Sequence, residues 1–253
     1  TDNGETKHIA LSYGNQVRYY EKENERVASA LNYGIKKMEG EFFSWLSHDD
    51  EYYPKKIEEQ IKFSKVLPPK SIIYSDFTLI NEKSETLYHY RIPPSSPKNF
   101  AVDLICYAQI NGCSLLIPKT CFEELGSFNH SLRMVQDYEL WFRFTKRYRF
   151  YHLRRPLIKS RIHPKQGAIN LRSICNKEEN YFINKTFNSL TDGPNIFYAR
   201  STKFLIMMII RKKRSVCLKV LEKIIENFRS NFFSSTLLFP LHLIFNLFKI
   251  GSR

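Results

Sequence analysis

The chain has 253 residues, of which 43% are hydrophobic and 15% aromatic, and this composition excludes a disordered polypeptide. Its net charge of +14 is uneven, because residues 196–253 hold 11 lysines and arginines against 2 acidic residues, as is typical of a segment that meets an anionic surface. The five cysteines are odd in number and show no C-x-x-C spacing, so they indicate neither a disulfide framework nor a zinc knuckle and favour reduced thiols in the cytoplasm.

Helices and strands alternate along the first two thirds of the chain. The periodicity predicts a helix over 5–13, a strand over 16–21, a helix over 24–40, a strand over 41–46, a helix over 54–67, a strand over 71–80, a strand, turn and short helix over 111–128, and a helix over 136–148. A loop rich in proline and serine covers 91–100. This alternation predicts an α/β fold with an open, mostly parallel sheet, in which ligands bind beyond the carboxyl ends of the strands.

The last third of the sequence has a different character. Residues 201–230 read as a basic amphipathic helix, and 232–248 are largely apolar but broken by Pro240 and too short for a comfortable membrane span. We therefore expect an α-helical extension that lies at a membrane surface. The predicted organisation is a main α/β domain over 1–170, a linker over 171–195 and a basic tail over 196–253.

Two adjacent carboxylates, Asp49 and Asp50, follow the predicted strand over 41–46. Like charges at this separation repel each other, so either solvent or a cation must screen them. The loop could be a solvated acidic turn that helps to cap the helix beginning at Pro54. Alternatively, it could hold Mn²⁺ or Mg²⁺, which commonly takes one or two protein carboxylates and completes its shell with phosphates and water.

Three stretches carry a resemblance to a known family: "ALNYGIKKMEGEFFSWLSHDDEYYPKK", "NGCSLLIPKTCFEELGSFNHSL" and "QDYELWFRFTKRYRFYHLRRPLIKSRIHPKQ". They resemble, in order, the metal-binding segment, the acceptor-side segment and the helix and "R-x-H" loop of the family 2 glycosyltransferases, which have the GT-A fold. The resemblance covers roughly residues 1–170. It implies transfer of a sugar from a nucleotide-diphosphate donor, with a divalent cation as cofactor.

The resemblance also implies roles for particular residues. Asp49 corresponds to the metal ligand, and Asp50 supports it in binding the metal and the donor. Ser47 stands where the family often has an acidic residue, which puts ribose contact and metal affinity in question. Asp137 corresponds to the base that deprotonates the acceptor, with Gln136 in place of the usual acidic neighbour; a plain helix cap is the alternative role for Asp137.

The "SRIHPKQ" loop supplies further candidates. His163 resembles the family histidine that approaches the metal or the diphosphate, and Arg161 and Lys165 add positive charge for phosphate oxygens. A histidine before proline could also be an ordinary loop residue. Asn32 matches a donor-side asparagine of the family, although it could only form a local cross-link. Asp76 is a weaker candidate and could be a turn residue.

The start of the sequence looks like the segment that follows the family's "D-D-G-S" strand, so we expect an N-terminally truncated GT-A domain without a secretion signal. The leading hypothesis is an inverting, metal-dependent glycosyltransferase that acts on a glycan or lipid-linked acceptor in cell-surface polysaccharide synthesis, held at the inner face of the cell membrane by its tail. One alternative is a catalytically inactive glycan- or membrane-binding remnant. A nucleic-acid-binding protein is disfavoured, because the tail pairs its basic residues with long aliphatic side chains.

Overall fold

The computed structural model describes residues 4–98, 100–107, 110–164, 166 and 170–187. The helices are α1 (Glu5–Ser12), α2 (Arg26–Lys37), α3 (Lys56–Ser64), α4 (Phe100–Tyr107), α5 (Lys119–Leu125), α6 (Gln136–Phe144) and α7 (Arg172–Phe187). The strands are β1 (Phe42–Phe43), β2 (Glu51–Tyr52), β3 (Ser71–Ile80), β4 (Thr86–Tyr90), β5 (Ile117–Pro118) and β6 (Arg149–Arg161). Helices and strands are mixed along the chain, and the predicted α/β class is confirmed.

The main sheet has the strand order β2-β6-β3-β4. Its long central pair, β3 with β6, is parallel, whereas β4 and β2 run antiparallel to their neighbours. The predicted parallel arrangement therefore holds for the central pair and not for the strands beside it. The reason for β4 is its short connection, because a five-residue turn after β3 can only return the chain as a hairpin. A separate two-stranded ribbon pairs β1 with β5.

Strand β3 lies in the core, where most of its side chains are buried. Residues Ile72, Tyr74 and Ile80 have no exposed surface, which agrees with the long apolar run of a central parallel strand. Helix α4 packs on the same layer through Phe100, whose ring stacks on Phe150 of β6 with centroids 4.1 Å apart. Burial of such aromatic side chains contributes most of the apolar stabilisation of this layer.

The structure differs from the sequence predictions in two segments. The segment 16–21 alternates in character, yet it forms the end of a short 3-10 turn and then an extended stretch without a strand partner. The stretch 171–195, predicted as a linker, contains helix α7, whose Phe182 and Ile183 are buried in the core. The apolar residues of α7 therefore belong to the α/β unit, and the boundary predicted at residue 170 does not separate it from that unit.

The basic tail over 196–253 lies outside the described residues. Within the part of the chain that the structure describes, no helix is both long enough and apolar enough to cross a membrane.

Candidate active site

The carboxylate loop, which we define as residues 47–50, lies against the carboxyl end of β6. The antiparallel pairing of β2 with β6 sets Glu51 opposite Lys159 and so brings the preceding loop to the last residue of β6. There the backbone N–H of Arg161 donates to Asp50 Oδ1 at 2.9 Å, and Arg161 Nε donates to the carbonyl oxygen of Asp49 at 2.9 Å. Residues more than 100 positions apart in the sequence are thereby held side by side.

Asp49 and His163 form a close pair at this end of the sheet. The distance from His163 Nε2 to Asp49 Oδ2 is 3.1 Å, and the two side chains are 19% and 21% exposed. Among the described residues, no group of three or more histidine, cysteine or acidic side chains is arranged to hold a metal ion. A carboxylate and an imidazole that remain accessible suit Mn²⁺ or Mg²⁺ that takes its remaining ligands from phosphates and water.

Asp50 has a more enclosed position than Asp49. Burial raises the pKa of Asp50 and outweighs the opposing effect of the hydrogen bond from the Arg161 backbone, while the neighbouring charge of Asp49 adds to the increase. The thiol of Cys113 lies beside it and also accepts from the backbone N–H of Ser47 at 3.3 Å. This geometry favours Asp50 as a residue that fixes the loop, with the predicted metal and donor contacts falling mainly to Asp49.

The guanidinium group of Arg161 joins the carboxylate loop to the β3–β4 turn. Its Nη1 donates to the carbonyl oxygen of Asn81 at 2.8 Å and to Ser84 Oγ at 3.0 Å, and Nη2 donates to Glu51 at 2.8 Å. These bonds, with the one from Nε, leave one N–H of Nη2 for a ligand. The predicted phosphate contact of Arg161 would have to use that N–H. Lys165, the other predicted phosphate contact, lies outside the described residues.

Asp137 lies in the first turn of α6. Its Oδ1 accepts from the backbone N–H of Tyr138 at 2.8 Å, and burial raises the pKa of Asp137 to about 6. The residue at the cap position is Val135, which gives no side-chain cap, so the alternative role of Asp137 as the helix cap does not match the structure. A carboxylate with a raised pKa that is still ionised near neutral pH is suited to act as a general base.

The turn that leads into α6 is held by a residue of another helix. Both carboxylate oxygens of Glu178, on α7, accept from the backbone N–H of Arg133 at 2.9 and 3.0 Å, and Glu178 Oε2 also accepts from Met134 at 2.8 Å and Val135 at 3.2 Å. Of the three donors only Val135 lies at the cap position of α6, and the carboxylate is well placed near the positive end of this helix. Sequence reasoning missed Glu178, since its partners are backbone groups in a distant segment.

A short segment, residues 110–113, connects α6 with the carboxylate loop. At one end the hydroxyl of Tyr138 donates to the carbonyl oxygen of Ile110 at 3.1 Å, and at the other Cys113 lies beside Asp50. Gly112 packs against Trp45 so closely that a Cβ there would lie 2.1 Å from the indole. Asp137 and Asp49 thus belong to connected parts of the molecule, and their convergence on one cleft stays a prediction.

Asn32 is buried and hydrogen-bonded to a distant segment of the chain. The side chain is 6% exposed, and its amide donates to the carbonyl oxygen of Phe128 at 2.8 Å while its oxygen accepts from the Phe128 backbone N–H at 2.9 Å. Its nitrogen also lies 2.8 Å from His130 Nε2. Both amide hydrogens are used, so Asn32 is a structural cross-link between α2 and the segment after α5. The donor-side role that the resemblance implies for Asn32 stays a prediction.

Lys56 is a buried cation that sequence reasoning also missed. It has no exposed surface, and its ammonium group donates to Ser44 Oγ and Gln60 Oε1, each at 2.8 Å. The ammonium also lies 4.4 Å from the ring centroid of Tyr52, and burial lowers the pKa of Lys56 to about 7. These contacts fix the base of the segment between β1 and α3. The signal was present in the sequence as the "PKK" that closes the first motif.

Known proteins resemble this chain in sequence. The model of "Glycosyl transferase family 2" matches residues 1–199. An uncharacterized glycosyltransferase of Rickettsia felis is 43% identical over 216 residues, covering 81% of this chain and 36% of that protein. A Haemophilus influenzae relative, also an uncharacterized glycosyltransferase, is 22% identical over 254 residues and covers 96% and 85%. The chain thus spans about a third of the length of the Rickettsia felis relative.

Solved structures show the same fold. The S. aureus TarS 1-349 structure superposes with a TM-score of 0.52 at 12% identity and covers 90% of this chain and 69% of that one. The longer S. aureus TarS structure gives a TM-score of 0.50 at 13% identity, with 90% and 41% covered. At these identities the likeness concerns the fold alone.

Proposed function

Since the chain belongs to glycosyl transferase family 2, we propose that it is a glycosyltransferase that is inverting and metal-dependent. The donor is a nucleotide-diphosphate sugar, and the acceptor is a glycan or a lipid-linked glycan in cell-surface polysaccharide synthesis. The observation that carries this proposal is the pairing of Asp49 with His163 at the carboxyl end of β6, the edge where ligands bind in such sheets.

The residues divide the work as follows. Asp49 and His163 would hold Mn²⁺ or Mg²⁺ together with the donor diphosphate, and Asp50 orients the loop through Arg161. The cation, when bound, supplies positive charge that stabilises the departing diphosphate. Asp137 removes the proton of the acceptor hydroxyl as its oxygen bonds to the anomeric carbon and the bond to the diphosphate breaks. A pKa of about 6 keeps Asp137 ionised at pH 7 and basic enough to take that proton.

Thermal unfolding in the presence of UDP or GDP tests donor and metal binding. A nucleotide that binds only the folded state raises the melting temperature. We expect this increase to require Mn²⁺, because the cation would be held together with the diphosphate. Asp49→Ala and His163→Ala should each remove most of the Mn²⁺-dependent increase. His48→Ala is the matched control, since the His48 side chain is 94% exposed next to the same aspartate. Equal nucleotide protection with and without Mn²⁺ would contradict the metal-dependent reading.

The proposed base is tested separately from donor binding. Asp137→Asn should abolish sugar transfer while leaving nucleotide protection nearly unchanged, because Asn keeps the oxygen that accepts from Tyr138 but cannot take a proton. Sugar transfer is followed as nucleotide release from a panel of UDP- and GDP-sugars. Retained transfer in this variant would refute the assigned role.

The basic tail is the basis for the proposed location at the inner face of the cell membrane. Its lysines and arginines are attracted to anionic headgroups, and its long aliphatic and aromatic residues enter the interface. Flotation with phosphatidylglycerol vesicles is expected, and it should weaken in the chain that ends at residue 195. Binding to single-stranded DNA with a steep salt dependence, in the absence of flotation, would favour the nucleic-acid alternative.

A further inference from the structure

A second cleft of about 530 Å³ opens over the middle of the main sheet. Its wall comes from β3, from the end of β4 with the residues that follow, and from the middle of β6. The polar and aromatic side chains that line it are Asp76, His89, Tyr90, Arg91, His152 and Arg154. None of these is used in the donor and metal site described above.

A buried pair forms part of this wall. Asp76 Oδ1 accepts from the backbone N–H of Ile92 at 2.9 Å and lies 2.8 Å from His152 Nε2, and the two side chains are 8% and 7% exposed. The ring of His152 stacks on Tyr74 with centroids 4.7 Å apart. Asp76 is therefore a mid-strand residue with a fixed partner and not the turn residue that the sequence suggested.

The pairing sets the hydrogen-bonding character of His152. Burial lowers the pKa of His152 and outweighs the opposing charge of Asp76, which favours the neutral ring. A neutral ring that donates from Nε2 to the carboxylate has a lone pair on Nδ1, and Nδ1 has no hydrogen-bond partner in the described part of the chain. A buried polar atom without a partner is unusual in a folded protein.

Two arginines give the cleft positive charge. Arg91 and Arg154 are exposed, and neither forms an ion pair with a carboxylate among the described residues. By contrast, the adjacent Arg155 donates to Glu59 at 3.1 Å. Unpaired guanidinium groups on one cleft are suited to bind phosphate, because their fixed donors match its oxygens.

Hydrogen bonds connect the cleft with the candidate active site. His89 Nδ1 lies 3.0 Å from Thr78 Oγ1, which lies 3.0 Å from the hydroxyl of Tyr53. Tyr53 follows β2 directly, and β2 begins directly after Asp50. These contacts lead from the cleft to the residue after β2, and they pass over β6, which lies between β2 and β3 in the sheet.

We propose that this cleft binds a phosphate group carried by the acceptor, with Arg91 and Arg154 on the phosphate and the hydrogen-bonded pair of His152 and Asp76 in the wall beside it. This assignment rests on the proposed glycosyltransferase function and specifies the class of acceptor. It assigns the phosphate to a site separate from that of the donor diphosphate.

Histidine NMR signals test this assignment, because the chain has seven histidines. His89 and His152 report on the cleft, and His163 reports on the donor site. We expect glycerol 3-phosphate to shift the ring signals of His89 and His152 in a saturable way at constant ionic strength. Arg91→Ala/Arg154→Ala should weaken that binding by about tenfold or more, whereas Arg155→Ala should stay within about twofold.

Several results would overturn the proposal. They are unchanged affinity in the double variant, equal binding of acetate, or displacement of glycerol 3-phosphate by UDP with Mg²⁺. A shift of His163 by UDP with Mg²⁺ but no response of His89 and His152 to phosphate would reject the cleft and leave the proposed function standing. Absence of the His163 response alone would reject the donor site instead.

The source of the phosphate is tested in a further arm. Dihexanoyl phosphatidic acid, used below its micelle concentration, carries the same phosphate on a lipid. Tighter binding of this lipid than of glycerol 3-phosphate supports a lipid-linked acceptor, and equal binding supports a soluble phosphorylated glycan. Both results require the loss of affinity in Arg91→Ala/Arg154→Ala; without that loss the cleft is rejected.

Discussion

Removing the carboxylate of Glu178 should loosen the start of helix α6, which carries Asp137. In the native chain this carboxylate accepts from the backbone N–H groups of Arg133, Met134 and Val135. In Glu178→Ala those three donors lose their acceptor at a helix start, and water can replace it only in part because the site is half-buried. We expect lower stability and a displaced Asp137.

The size of the effect can be worked from the three donors. Hydrogen bonds to charged groups contribute about 1.5–3 kcal/mol each. Because the three N–H groups share a single carboxylate that is partly exposed, the contributions are not additive, and we expect Glu178→Ala to lower the free energy of unfolding by about 3 kcal/mol. Glu178→Gln keeps one acceptor oxygen and loses the charge, so an intermediate loss of about 1–2 kcal/mol is expected.

Urea unfolding of the three proteins measures the stability term, and nucleotide release from UDP- and GDP-sugars measures transfer. We expect the catalytic rate of Glu178→Ala to fall by about tenfold, since small displacements of a catalytic group are costly, with nucleotide protection unchanged. Glu58→Ala is the matched control. It removes an exposed carboxylate whose helical ion pair with Lys62 is screened by solvent and should contribute little to stability.

We expect the stability and the transfer rate of Glu178→Ala to fall together. If Glu178→Ala unfolds at the same urea concentration as the native chain, the four contacts carry no net stabilisation. If it is destabilised by the expected amount but transfers sugar at the native rate, α7 does not position Asp137. The second result would also weaken the case for Asp137 as the base.

Three further predictions concern buried groups. Asp137→Asn should be about 2 kcal/mol more stable than the native chain at pH 7.5, because the raised pKa of native Asp137, about 6, means that its charge is unfavourable in the folded state. Urea unfolding at several pH values measures this gain in stability. The gain should vanish below pH 4, where the carboxyl is protonated in both the folded and the unfolded chain. The native chain should become more stable from pH 7 to 10, because the lowered pKa of Lys56, about 7, means that the unfolded chain binds more protons in this range. Lys56→Met should abolish this rise. Equal dependence of stability on pH in the native chain and in Lys56→Met would contradict the prediction. Gly112→Ala should displace Trp45, cost about 2 kcal/mol or more and alter the near-ultraviolet circular dichroism of the two tryptophans, whereas Gly34→Ala, with open space around its Cβ, should be neutral or stabilising.

The sequence predicted the elements whose periodicity is set by burial. Strand β3 has its predicted bounds, because a run of apolar residues between polar turns can be covered on both faces. The helix predicted over 136–148 begins at Gln136 as expected and ends four residues early, at Phe144. Helix ends depend on capping contacts, so their positions are less well specified by pattern.

Contacts between distant segments could not be derived from pattern. The alternation over 16–21 predicts a strand, but the described residues provide no partner strand for it. Asn32 matched a motif position, yet its amide is used by Phe128, 96 residues away. In the same way, the sequence predicts Arg161 as a phosphate contact but does not show its partners in the β3–β4 turn. There the guanidinium group donates to the carbonyl oxygen of Asn81 and to the hydroxyl of Ser84.

The anchoring of Arg161 has a consequence for where this chain can accept inserted residues. Tips of hairpins are ordinarily the positions where a chain tolerates inserted residues. Here the turn between β3 and β4 accepts a hydrogen bond from the Arg161 guanidinium, which also donates to the carbonyl oxygen of Asp49. Residues added at Glu82 or Lys83 would therefore pull the carboxylate loop away from His163. We expect the hairpin to be an intolerant site for tags and loop grafts, despite its exposure to solvent.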